Sequence, residues 1–206
     1  MRFLVLAILV FTSCVSSQKL TYTGSPEFIK EIKAYHAETN SAFADPDQSP
    51  LVEEDIPGFK KLKFYPPDEK YRVTAKLTLT PDEQPFQMKT STDRLPTYRK
   101  YGIIEFSIDG RPFQLSVYQN AKHATNPLYK NWLFLPFRDL TCSNGSYGGG
   151  RYIDLEIPEG DEIIVDFNKA YNPLCVYNYK YSCPVPPKEN DLDIEIRAGV
   201  MDYEKH

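Results

Sequence analysis

Histidine is scarce in this chain, basic residues never run together, and no long apolar stretch follows the first dozen residues. Each shortage closes a class of function. Three histidines (His36, His123 and His206) and four cysteines leave little for a nucleophile, which needs an adjacent base. The C-x7-C spacing of Cys175 and Cys183 has no second Cys/His pair to complete a zinc set, and the acidic trio Glu53-Glu54-Asp55 reads as a solvated face. No metal centre is expected. Lys and Arg number 24 against 28 Asp and Glu, so the electrostatic footprint of a nucleic-acid binder is missing. Nothing repeats and no linker breaks the chain; 206 residues fit one domain after loss of a leader.

What is present begins with Met1-Arg2 and the apolar residues 3–11. Spanning a bilayer takes roughly 18 apolar residues, so residues 1–17 are expected to be a signal peptide rather than an anchor helix. Cleavage before Cys14, as in a lipobox built from Phe11-Thr12-Ser13-Cys14, would lipidate that cysteine; cleavage before Gln18 is the other choice. Either takes the protein out of the cytoplasm, to the periplasm or cell envelope. Membrane contact is expected only through a lipid on Cys14.

Residues 18–24 read as a tether and residues 25–206 as the folded domain. Ser25-Pro26-Glu27 has the cap, first-turn proline and acid of a helix start, and Phe28, Ile32, Tyr35, Thr39 and Phe43 recur at helical spacing, predicting a helix over 26–44. His36, beside that stripe, is expected at the surface. Pro46 ends the helix, and a second short turn is expected at Ser49-Pro50-Leu51. The period then becomes alternating. Strands are predicted at 71–79, 86–91, 103–108, 111–119, 132–137, 152–157, 162–167 and 192–197, with Asp109-Gly110 as a tight hairpin turn and residues 158–161 joining two strands. The fold class is mainly β, a single barrel or sandwich carrying an N-terminal α-helix. The 15 Tyr and 12 Phe suit strands and amphipathic binding faces.

Glycines, prolines, cysteines, asparagines and charges crowd together between Tyr147 and Asn190. Such a mixture demands special backbone and fixed polar contacts at once. The glycine run Gly148-Gly149-Gly150 after Tyr147 can cradle an anion on backbone N–H groups, yet it lacks a P-loop tail and leads into a strand. Arg151 beside it suits a carboxylate or phosphate. Arg138-Asp139 is either a buried ion pair or a pocket rim. Asp154 and Asp166 fall near two neighbouring predicted strands, where close carboxylates can share a proton; Asn168 and Asn172 also fit turns that satisfy loop backbone. Export favours a Cys175–Cys183 disulfide, with reduced thiols the other reading; Cys142 is left as an odd thiol, expected to be buried, with pairing to one of the other two still open.

Phe137-Arg138-Asp139, Tyr147-Gly148-Gly149-Gly150-Arg151-Tyr152-Ile153-Asp154-Leu155, Asp166-Phe167-Asn168-Lys169-Ala170-Tyr171-Asn172-Pro173 and Cys183-Pro184-Val185-Pro186-Pro187-Lys188-Glu189-Asn190 together resemble the DUF1684 family, and the likeness runs back through Phe64-Tyr65-Pro66 to Ser49-Pro50-Leu51. The resemblance implies a single-domain prokaryotic protein, cytoplasmic in some members and exported in others, and no chemistry. Cys175 and Cys183 match the family pattern, whereas Cys14, Cys142 and His123 fall outside it. The leading expectation is a small polar or anionic ligand held by Arg138, Asp139, Tyr147, Gly149, Arg151, Asp154, Asn168 and Asn172. The alternative is an enzyme, either a hydrolase with Asp154 and Asp166 as its carboxylates or a flavin-type split barrel. No cofactor or oligomeric state is fixed by the sequence.

Overall fold

The computed structural model describes residues 21–203. The expected signal peptide, Cys14, both expected cleavage points and residues 18–20 of the tether lie outside the described residues. Helix α1 (Pro26–Ala44) begins where the sequence places it: Ser25 caps it by accepting the Phe28 amide at 3.3 Å, Pro26 opens the first turn, and the chain leaves helical geometry at Asp45 (ψ 115°) ahead of Pro46. Its buried face is Phe28, Ile32, His36 and Phe43. His36 is therefore not a surface residue. Four-residue spacing puts it under Ile32, where the ring stacks on Phe64 at 3.9 Å and Nε2 meets the Asn168 carbonyl at 3.0 Å.

Seven strands follow: β1 (Arg72–Leu79), β2 (Phe86–Gln87), β3 (Thr97–Ile108), β4 (Arg111–Asn120), β5 (Trp132–Phe137), β6 (Arg151–Glu156) and β7 (Glu162–Asp166). They form one curled antiparallel sheet in the order β6-β5-β4-β3-β1-β7, a half-barrel, with β2 pairing on β3. The β3–β4 hairpin turns on Asp109 and Gly110, both at positive φ (50° and 77°) as a tight two-residue turn requires. The strand expected over 86–91 shrinks to two residues. Residues 158–161 do join β6 to β7, but those strands are the two edges of the sheet rather than neighbours. The side between them is open, and α1 lies along it.

Inside the curl sits the main core, built from β1, β3, β4, β5, β6 and β7 together with Phe167, Leu192, Ile196 and Ala198. Alternation decides membership. On β6 the odd positions Arg151, Ile153 and Leu155 are buried while Asp154 and Glu156 are exposed. Arg151 thereby enters the core, fully buried with its partner Asp139, 2.7 Å away.

That pair explains why residues 192–197 are not a strand. They form a strap across the core whose backbone is held largely by side chains. Arg151 donates to the carbonyls of Ile196 at 2.8 Å, Ala198, and Val200 at 3.3 Å. Asp139 Oδ1 accepts the amides of Thr141 at 2.7 Å and Ile196 at 3.3 Å. Gly199 follows at φ +74°, where a Cβ would lie 2.7 Å from the Ala170 and Phe167 carbonyls. A guanidinium and a carboxylate do here what a neighbouring strand does elsewhere.

Removing one member of a buried pair strands the other charge. Arg151→Met is expected to lower unfolding free energy in urea by about 3–5 kcal/mol, and the double change with Asp139→Leu to cost less than the sum of the two single changes.

Candidate functional site

The outer face of β5 and β6 carries the even positions. Register sets Trp132 against Glu156, Phe134 against Asp154 and Pro136 against Tyr152, while Tyr118 of β4 pairs with Phe134. Residues 171–184 run over this face. Between face and loop lies a cavity of about 310 Å³ bordered by Tyr98, Trp132, Phe134, Tyr152, Asp154 and Tyr171, with His123, Tyr181, Cys183 and Pro184 at its margins. The rings connect: Tyr98 to Phe134 at 5.7 Å, Phe134 to Tyr152 at 4.8 Å and Tyr152 to Tyr171 at 5.8 Å between centroids. Their polar ends are engaged, Tyr152 donating to the Pro184 carbonyl and Tyr171 to Asp154 Oδ1 at 2.9 Å.

Asp154 and Tyr171 also border two further cavities. One, about 570 Å³, fills the open side of the half-barrel between β6 and β7 and is edged by Glu31, Tyr35, Arg72, Asp166 and Lys169. The other, about 240 Å³, runs beneath α1 past Phe43, Phe64 and Asn172. Asp154 therefore stands where a polar arm, an aromatic arm and an apolar pocket meet.

The polar arm is internally neutralised. Glu31 accepts from Arg72 and from Lys169, each at 2.8 Å, and Arg72 also meets Asp166 at 2.7 Å. Hydrogen bonds from Arg72 and Lys169 hold the Glu31 carboxyl down at about 2. Asp154 differs: no Lys or Arg pairs with it among the described residues. It keeps solvent access at the cleft mouth, yet surrounding protein removes part of its hydration. That desolvation raises its carboxyl above the usual range, against the Tyr171 hydrogen bond and the nearby His123, which lower it. Burial and Asp154 together push Tyr171 well above its ordinary value, so it stays a donor.

The other expected site residues are engaged by the fold, with Asp166 and Asn172 still bordering the two adjoining cavities. Arg151 and Asp139 are spent on each other and on the strap. Arg138 faces Asp191 through two hydrogen bonds, 2.7 and 2.9 Å. Neither guanidinium is offered to an anion. The glycine loop is packed on itself: the amides of Ser143, Ser146 and Gly150 go to loop carbonyls, and a Cβ on Gly149 would strike the Tyr147 ring at 2.4 Å. Asp166 is tied to Arg72 and to the Asn168 amide at 3.0 Å, so a proton-sharing pair with Asp154 is not what the edges build. Asn168 is buried and bonds both backbone groups of Asp68 at 3.0 Å, and Asn172 donates to the Met201 carbonyl at 3.0 Å.

Cys142, Cys175 and Cys183 are free thiols, with Cys142 only half-buried. The Cys175 amide donates to Cys183 Sγ at 3.0 Å. Burial, with the adjacent Cys175, pushes the Cys183 thiol up to about 12, so it is no ready nucleophile. Among the described residues no three His, Cys, Asp or Glu side chains converge as a metal set.

Sequence reasoning missed Tyr98, Trp132, Phe134, Tyr152 and His123. The signal was available for three of them: Trp132, Phe134 and Tyr152 hold even positions opposite in parity to Leu133, Leu135, Ile153 and Leu155.

Fold and site define a small antiparallel half-barrel with an N-terminal helix and a cleft along one outer edge. The chain belongs to the family described as "Protein of unknown function (DUF1684)", whose model matches residues 57–201. It is also similar to an uncharacterised protein of Haloarcula marismortui solved by solution NMR, at 34% identity over 87% of this chain and 97% of that one, with a TM-score of 0.66. No curated protein matches the chain.

A raised carboxyl costs stability once it ionises: the folded state is favoured below the unfolded pKa and loses that advantage as pH rises through the folded one. Asp154→Asn is accordingly expected to raise the melting temperature at pH 7 relative to wild type and to give no gain at pH 3, by calorimetry at both.

Proposed function

We propose that this chain is a ligand-binding protein of the cell envelope that takes one small polar organic molecule into the Asp154 cleft. The carrying observation is the roughly 310 Å³ cavity with connected aromatic walls and the Asp154–Tyr171 pair. Apolar walls with a few placed polar groups are the usual make-up of small-molecule sites. Of the two ligand classes that the sequence left open, polar and anionic, the geometry favours the polar one, since Arg138 and Arg151 are engaged by carboxylates.

Export and a lipid on Cys14 complete the proposal and rest on the leader alone. Among the described residues no helix is long and apolar enough to cross a membrane. An oxidising envelope compartment would let Cys175 and Cys183 close into a bridge beside the cleft. Nucleic acid has no part in this role.

A second reading, acid–base catalysis, is favoured by one observation, the raised Asp154 carboxyl held by Tyr171. In it Asp154 alone moves the proton and Asp166 takes no part.

Native and denatured intact masses of protein from its exporting host test the proposal. The expected result is a small-molecule mass seen only under native conditions and lost in Phe134→Ala, with a lipid adduct at Cys14 in the denatured spectrum. A native mass equal to the polypeptide, joined to no response of Trp132 fluorescence to a fragment library, contradicts it.

A further inference from the structure

We infer that the occupant of the aromatic arm is a small organic cation, a primary or quaternary ammonium, seated between the rings with its charge toward Asp154. The inference rests on the binding role proposed for the cleft and names the ligand class.

Three features of the arm point to a positive charge. First, Tyr98, Trp132, Phe134, Tyr152, Tyr171 and Tyr181 border a single cavity of about 310 Å³. Aromatic faces attract cations through the ring quadrupole, and cages of such rings are a recurrent way to hold ammonium groups. Second, the charge count is one-sided: among the described residues Asp154 is the only carboxylate bordering the arm, and no Lys or Arg borders it. Third, among the described residues no Lys or Arg pairs with Asp154. Arg72 and Lys169, which edge the neighbouring arm, are held by Glu31 and Asp166, and the groups that do face Asp154 are the Tyr171 hydroxyl and His123. A partly desolvated carboxylate that no Lys or Arg pairs is less well settled in the empty protein than one with a salt bridge, and a cationic ligand improves its position. An inorganic cation would want several oxygen or nitrogen ligands; one carboxylate among rings suits a cation that brings its own apolar surface.

Trp132, the single tryptophan of the chain, borders the arm and reports occupancy by fluorescence. The probes are choline, its neutral isostere 3,3-dimethylbutan-1-ol, and acetate as an anion, titrated to millimolar concentration against the mature protein. Amide NMR shifts serve as a second readout. Choline is expected to bind at least about tenfold more tightly than the alcohol, with acetate undetected. Asp154→Asn is expected to bring choline and the alcohol to within about twofold, and Phe134→Leu to weaken choline while leaving the fold intact by NMR. Equal affinity of choline and the alcohol in wild type overturns the charge assignment and leaves a neutral-ligand site standing. Acetate binding most tightly likewise overturns it. No response of Trp132 or the cleft amides to any of the probes removes the cation inference, while retention of a native-only mass in the protein from its host would show that the cleft still binds something else.

Discussion

A buried Arg–Asp pair holds this fold together at the point where the sheet runs out. Arg151 and Asp139 are fully buried, 2.7 Å apart, and between them they bond four backbone groups of the C-terminal strap. A half-barrel has an open mouth, and its inner apolar face must be closed by something. Here the closing segment is irregular backbone, which in an apolar interior would leave carbonyls and amides unpaired. The ion pair satisfies them. Its desolvation is offset by those bonds more than by mutual attraction. Leu192, Ile196 and Ala198 can then fill the core without a strand ladder.

The same strand that donates Arg151 inward presents Asp154 outward. Period two makes β6 both a structural beam and one wall of the cleft, and three residues separate a charge paired with a carboxylate from one that, among the described residues, no Lys or Arg pairs. Arg138, Arg72, Lys169 and Arg151 all have carboxylates in reach, which is how a fold settles its own electrostatics. Asp154 has a hydroxyl and an aromatic cleft. Charges that a fold leaves unsettled beside a cavity are where recognition is most economically placed.

Much of the architecture was legible in the sequence because it rests on local rules. Ser25-Pro26-Glu27 and Pro46 bound α1, Asp109-Gly110 sets the hairpin, and alternation finds β1, β5, β6 and β7. Two structural errors have different causes. Residues 192–197 alternate like a strand, yet the partner that satisfies them is a distant side chain, which no local pattern encodes. His36 was placed outside because the stripe was drawn through Tyr35 rather than along the four-residue ridge from Phe28 to Ile32. At the site, the crowded stretch from Tyr147 to Asn190 did contain Asp154 and Tyr171. Its glycines and Arg151, the most suggestive residues by type, turned out to pack the loop and the core. The aromatic walls come from Tyr98, Trp132 and Phe134, far away in sequence; parity puts Trp132 and Phe134 on the outer face, but the sheet order that brings them beside Asp154 and Tyr98 cannot be read from spacing.

The claim that the Arg151–Asp139 pair pins the strap can be put to amide hydrogen exchange on wild type and Arg151→Met. Protection of the Ile196 and Val200 amides is predicted to fall toward that of local opening, while the β3–β4 ladder keeps protection close to the new global stability. Equal protection of those two amides in both proteins, or a drop no larger there than in the ladder, would contradict the account.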